Sequence, residues 1–200
     1  MKKIIAIQKI GDLDNQVITN LRKCLSWQFK IYDFHFLISE NPISLTTKYY
    51  NFLREKYDAS LILQNLFLNN CSKNYFCSLG IMNKDIFKGF HNFVFGVGVN
   101  VNKFLFNFPN LALVSIARLK ESYYNNPEDD ILTLRRALKE SIHEIGHSLG
   151  LKHCTNECVM RFSKSIQEVD KKPLSFCFEC AKKLDCLYKI KLNRNTIFKR

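Results

Sequence analysis

The stretch that most constrains this chain is HEIGHSLGLKH, residues 143–153, followed at once by a cysteine. It has the form H-E-x-x-H-x-x-G-x-x-H. On a helix, His143 and His147 project from one face, one turn apart. Two imidazole nitrogens can then share one metal ion at about 2.0–2.1 Å. Glu144 can stand beside that ion without ligating it. Gly150 suits a helix terminator, because glycine accepts the left-handed conformation at a helix C-terminus. A turn there brings His153 back towards the metal. Three neutral histidines leave one tetrahedral position open, as in a catalytic rather than a structural zinc site. H-E-x-x-H alone also arises by chance on buried helices. Gly150 and His153 at matching offsets argue against chance here, as do three of the chain's five histidines within eleven residues. Such a site also accepts cobalt, nickel or copper.

A second constellation follows directly. Cys154 and Cys158 form a C-x3-C, Cys177 and Cys180 a C-x2-C, and eighteen residues lie between the pairs. This is the layout of a closed four-cysteine zinc site, which would supply folding energy to a chain end with little core of its own. The bland alternative is two unrelated cysteine pairs. Cys71 and Cys77 are separated by five residues, which fits no zinc spacing, and read as free thiols. Cys186 lacks a partner at a matching interval.

The rest of the chain reads as a mixture of strands and helices. Residues 4–9 are a first strand, closed by Gly11-Asp12. Asp14 caps a helix to about Trp27, with Val17, Leu21 and Leu25 on one face. Residues 31–38 are a strand carrying His35, expected as a packed histidine. Asn41-Pro42 is a turn. A helix is expected over Thr47–Lys56 and a buried strand over Ala59–Leu66. Ser78–Met82 and Asn92–Val99 are further strands. Gly96 and Gly98 in the latter let another backbone approach closely. Leu111–Leu119 opens as strand and passes into helix. From Ile131 the period is helical, with Leu134, Leu138, Ile142, Ile145 and Leu149 forming the stripe that anchors the metal helix. The basic stretch Lys189–Arg200 reads as a solvated end.

Composition narrows the function. Two hundred residues suit one domain, and 46% hydrophobic with 13% aromatic residues allow a substantial core. No apolar run is long enough for a transmembrane helix. The start, MKKIIAIQKIGD, lacks the apolar core of a signal peptide. A cytoplasmic location is therefore expected, where thiols stay reduced and eight cysteines are better read as metal ligands plus spare thiols. The net charge of +12 invites a nucleic-acid or anionic-membrane partner. The lysines are scattered, however, and the interleaved basic and aromatic strands of RNA-binding modules are missing.

The sequence resembles the archaemetzincins, metzincin-like zinc metalloproteases. The resemblance rests on HEIGHSLGLKH with the following HC, CxM and CxxC. It extends over roughly residues 92–180 through NFVFG, ALVSIARL, KESIHEIGHSLGLKHC, CVMRFS and FCFEC. Both spans, between the first two cysteines and from Met160 to the third, are one residue shorter than in the family pattern. The resemblance implies a compact α+β domain over residues 1–200, with a mixed sheet packed on helices. Residues 1–150 would form an upper part with the active-site helix, and residues 151–200 a short lower part with the four-cysteine site. It implies two zincs per chain. His143, His147 and His153 would hold the catalytic ion, and Cys154, Cys158, Cys177 and Cys180 the structural one. Met160 would sit on a turn beneath the histidines; from spacing alone it is a core methionine.

The function expected is zinc-dependent peptide hydrolysis by activated water, with Glu144 as general base. A peptide or protein is the expected substrate, held at an exposed strand edge for which NFVFGVGV is the candidate. The expected state is a monomer with no membrane or nucleic-acid partner. Two rivals stand beside this reading: a non-catalytic zinc-dependent peptide binder, and a basic zinc-ribbon protein that binds nucleic acid. Glu144 favours the enzyme, since a pure binder has no evident use for that carboxylate.

Overall fold

The computed structural model describes residues 3–101 and 108–188. The basic stretch from 189 onwards therefore lies outside the described residues. β1 (Lys3–Ile10) is apolar on both faces because it runs through the middle of a sheet. α1 (Asn15–Gln28) begins where Asp14 accepts a hydrogen bond from the Gln16 N–H at 2.8 Å. Ile18, Leu21 and Leu25 are its buried residues, and Val17 packs at their edge. The chain turns through Lys30–Tyr32 and enters β2 (Phe34–Ile38), which pairs in parallel with β1. β2 is the sheet's outer strand, so its residues alternate between buried and exposed. His35 falls on the solvent side, 3.4 Å from Asp33, and is not packed in the core as its apolar neighbours suggest.

Two expectations fail in the next segment. Residues 47–56 form no α-helix. After a short 3-10 turn they make a tight antiparallel hairpin, β3 (Tyr50–Asn51) with β4 (Lys56–Asp58). Its loop is closed by Asn51, whose side chain accepts from the Arg54 N–H at 3.0 Å, and Glu55 adopts a left-handed φ of 51°. Residues 59–66 are not a strand but the first part of α2 (Ala59–Asn70). Asp58 caps it by accepting from the Ser60 N–H at 2.7 Å.

β5 (Cys77–Met82) lies beside β1, β6 (Ile86–Phe87) pairs with β4, and β7 (Gly96–Val99) precedes β8 (Asn110–Ser115). The five-stranded sheet has the order β2-β1-β5-β8-β7. Its pairs are parallel except β7 with β8, which places β7 at the edge in antiparallel orientation. β7 is shorter than expected, since residues 92–95 lead into it without belonging to it. Strand alternation divides the core in two. Ile5, Ile7, Leu79, Ile81, Ala112 and Val114 face α1 and α3 (Asp130–Ser148), whereas Leu111 and Leu113 face α2. Each fully buried Leu or Ile contributes roughly 1.5–3 kcal/mol. No helix among the described residues is long and apolar enough to cross a membrane.

α3 starts at Asp129, whose carboxylate accepts from the Leu132 N–H at 2.8 Å. Ile142, Ile145 and Leu149 lock it against the sheet with no exposure. It stops at Gly150, where φ is +95°, and Leu151 N–H closes the last turn on Gly146 O at 2.9 Å. Residues 151–165 then run without regular structure to the one-and-a-half-turn helix α4 (Ile166–Lys171), and α5 (Phe178–Tyr188) follows.

Candidate metal centre and cleft

The second half of α3 carries a polar face inside the protein. His143 and Glu144 are buried; His147, one turn on, is half-buried. His143 Nδ1 lies 2.8 Å from Val159 O, and His147 Nδ1 lies 2.9 Å from Leu151 O. A carbonyl can only accept, so each Nδ1 bears the proton and each Nε2 presents a lone pair. Those two Nε2 atoms face one another at 3.0 Å. Two lone pairs that close repel unless a cation lies between them. A proton is a poor candidate, because burial and the Lys172 charge push His143 down to about 2; burial likewise pushes His147 down to about 4. The donor chemistry fits a metal ion. Gly150 turns the chain so that the exposed His153 joins them, its ring 4.7 Å from that of His147 and 4.8 Å from Phe162. The donor atoms of all three histidines lie within 4.8 Å of one another.

Glu144 occupies the strip between α3 and β7. A Cβ on Gly96 would come 2.5 Å from its Cγ, and one on Gly98 would come 2.6 Å from the His147 Cβ. Only glycine lets the edge strand approach this closely. Burial pushes the Glu144 carboxyl well above its usual range and Glu140 adds to this, while Lys172, Lys88 and the Gly98 amide act in the opposite direction.

Met160 is fully buried below the histidines, against Gly146; a Cβ there would come 3.1 Å from the Met160 Cε and collide with its sulfur. Met160 O accepts from the Cys154 N–H at 3.0 Å. Cys154, Cys158, Cys177 and Cys180 bring four sulfurs within 4.8 Å of one another, with Cys154 and Cys177 3.7 Å apart. Four thiolates on a tetrahedral zinc at about 2.3 Å would be separated by roughly 3.8 Å, so these donors also fit. Cys158 accepts from the Met160 and Cys177 N–H groups at 3.4 and 3.2 Å; burial pushes its thiol up, and these two N–H groups act in the opposite direction. Cys24, Cys71, Cys77 and Cys186 lie outside this group.

Sequence reasoning missed the ionic girder beneath the cleft. Arg136 forms a two-pronged pair with Asp170 at 2.8 and 2.7 Å, and Lys139 donates to Val169 O and Asp170 O at 2.9 and 2.7 Å. These contacts tie the end of α4 to α3. They deliver Lys172 to Glu140, where ammonium and carboxylate meet at 2.6 Å with almost no exposure. The helical spacing of Arg136, Lys139, Glu140, His143 and Glu144 was a signal that this face is polar. Asp170 and Lys172 carried none. Above the girder lies a cleft of about 460 Å³, walled by Lys88, Phe93 and β7 on one side and by Phe162 and Lys164 on the other, with Glu144 and the histidines at its floor.

The comparisons with known proteins agree with this picture. Residues 42–186 match the sequence profile of Peptidase family M54. Archaemetzincin from Sulfolobus acidocaldarius is 36% identical over 186 residues, which cover 92% of this chain and 97% of that protein. Archaemetzincin from Archaeoglobus fulgidus is 41% identical over 149 residues, covering 74% and 80% respectively. The crystal structure of the Archaeoglobus fulgidus protein, complexed with malonate, matches with a TM-score of 0.73 and 36% identity over 90% of this chain and 99% of that one. Archaemetzincin from Methanopyrus kandleri matches with a TM-score of 0.75 and 27% identity over 94% and 97%.

Proposed function

This chain belongs to peptidase family M54 and is a zinc metallopeptidase, and from that premise we propose that Glu144 is its general base and that it carries two zincs. His143, His147 and His153 hold the first through their imidazole nitrogens. When bound there, zinc supplies Lewis acidity to the scissile carbonyl and to the attacking water. Glu144 takes a proton from that water and returns it to the leaving amine. The β7 edge holds the substrate, a peptide or protein, by main-chain hydrogen bonds. Cys154, Cys158, Cys177 and Cys180 would hold the second zinc, a structural rather than a catalytic ion. Met160 supports the histidines from below. The working unit is a single chain read as one metzincin-like domain, with the cleft between the part up to residue 150 and the part after it. A reducing, cytoplasmic setting suits eight cysteines that are all free.

The observation that carries the reading is the placement of Glu144, which lies in the floor of the cleft between the paired Nε2 atoms and the edge strand. The test is Glu144→Gln, which keeps shape and removes the base. Hydrolysis of a diverse peptide library, read by mass spectrometry at matched zinc content, should fall by roughly 10²–10⁴. Bound zinc should be unchanged at two equivalents, of which mild chelation removes the histidine-held one first. Equal cleavage by variant and wild type would reject Glu144 as base. No cleavage by zinc-replete wild type would favour a peptide binder.

A further inference from the structure

Past β6 the chain folds back before it reaches β7. His91 N–H donates to Lys88 O at 3.0 Å, and Val94 N–H donates to Ile86 O at 3.1 Å. Residues 88–91 therefore form a closed turn on the rim of the cleft. Lys88 stands at the base of this turn, half-buried, and lines the cleft with Glu144.

What sets Lys88 apart is its lack of a counter-charge in contact. The other cations packed around the cleft are satisfied within the protein: Lys172 by Glu140, Arg136 by Asp170 and Glu121, half-buried Arg118 by Asp85, and Lys139 by the Val169 and Asp170 carbonyls. Among the described residues none lies within hydrogen-bond or ion-pair distance of the Lys88 ammonium. Lys164 on the facing wall is exposed. A half-buried ammonium is desolvated in part, and an anion that enters the cleft would recover that cost. The charge count of the lining points the same way. Glu140 is neutralised by Lys172, so Glu144 alone faces Lys88 and Lys164. A divalent ion held by the histidines would make the cleft more positive still.

The strand direction says which part of a peptide meets Lys88. β7 runs from Gly96 to Val99, and the residues leading into it run back through Phe93 towards Lys88. A peptide paired antiparallel to β7 runs the other way. Its residues C-terminal to the scissile bond then lie on the Lys88 side. We propose that Lys88 is a specificity-determining residue that binds a substrate carboxylate C-terminal to the cleaved bond. The carboxylate is supplied by an acidic side chain or by the free C-terminus. This rests on the peptidase reading above.

The experiment uses matched peptides in two pairs, Glu against Gln at a position after the scissile bond, and free C-terminal acid against amide. Cleavage rates are compared in wild type and Lys88→Met, and dissociation constants in zinc-loaded Glu144→Gln with and without Lys88→Met. Wild type should prefer the acid in one pair by roughly tenfold or more, the scale of a charge-assisted hydrogen bond. The pair that responds identifies the source of the carboxylate. The preference should shrink as salt rises and be absent in Lys88→Met at equal zinc content. No acid preference in either pair, or a preference that survives Lys88→Met, overturns the proposal. Cleavage of the neutral amidated peptide reports on the peptidase reading separately, and the binding arm tests Lys88 even where nothing is cleaved.

Discussion

The histidine cluster and the cysteine cluster touch in sequence at His153-Cys154 but are built in different ways. Two of the three histidines come from the last two turns of a nineteen-residue helix whose opposite face is locked into the main core. Their rings are aimed by backbone carbonyls. The four cysteines come from a segment whose only regular piece before α5 is the six-residue α4. Its buried apolar residues are Cys158, Val159, Met160, Ile166, Val169 and Cys180, with half-buried Leu174 and Phe176 packed at their edge. A metal at the first cluster joins a frame that the core already holds. A metal at the second would provide much of the order itself. On the proposed reading, the reacting groups sit on the rigid element, and the floor beneath them depends on cross-links, four sulfurs at one end and the Arg136–Lys139–Lys172 girder at the other.

The largest effect that would break this comparison is loss of a sulfur. Cys180→Ser should release the cysteine-held zinc and lower the melting temperature by roughly 10 °C or more, a scale set by metal-linked folding in a chain of this size. Cys71→Ser, at a half-buried thiol outside the cluster, should shift it by no more than about 2 °C. Coincident melts would mean that the cysteine cluster contributes nothing structural.

A smaller effect sharpens the other side. Gly98→Ala would put a Cβ 2.6 Å from the His147 Cβ and against the Glu144 backbone. α3 cannot retreat, because Ile142 and Ile145 are fully buried behind it. β7 must move instead. Overpacking of this kind costs roughly 1–3 kcal/mol, equivalent to about 2–12 °C in melting temperature. Displacement of the edge strand by about 1 Å should cut turnover by up to about 10²-fold. Zinc held by the cysteines should be untouched. Unaltered turnover would show that β7 does not position the substrate.

The same contrast explains what could be read without the structure. α1 with its Asp14 cap, the α3 stripe, the stop at Gly150 and both donor sets follow local rules of spacing and period. The failures fall where local rules are ambiguous. Ala59–Leu66 is a short apolar run of the kind that suits a buried strand or a buried helix equally. What decides is the Asp58 cap and continuation to Asn70, and the cap was the overlooked signal. The hairpin at 50–58 is fixed by one Asn51 side-chain bond and a left-handed Glu55, neither of which leaves a periodic trace. Lys172 and Glu140 are thirty-two residues apart in sequence, and their pairing is created by α4 docking on α3.

The smallest effect concerns protons on the cysteine cluster once metal is removed. Burial pushes the Cys177 thiol up, but hydrogen bonds from the Cys180 N–H, the Asn156 amide and the Cys154 and Cys158 thiols outweigh it and leave Cys177 at about 7. An unperturbed cysteine thiol lies at about 8.5. The thiolate is the nucleophile, so alkylation accelerates as pH rises through the pKa. In the metal-free folded protein, iodoacetamide should therefore label Cys177 before the other cluster thiols. Its rate should be half-maximal near pH 7, low at pH 6 and close to its plateau at pH 8. Cys77 is the internal control, because burial pushes it to about 12 despite its contact with Ser148, and it should stay unlabelled until the fold opens. Zinc must protect Cys177 at every pH if the cluster binds it, since the thiolate is then committed to the metal. Peptide mapping by mass spectrometry reads all of these sites in one experiment. Simultaneous labelling of Cys177 and Cys158 at a midpoint near pH 9 would mean that the loop does not hold the sulfurs in this arrangement without metal, which would make the order of this segment wholly dependent on the ion.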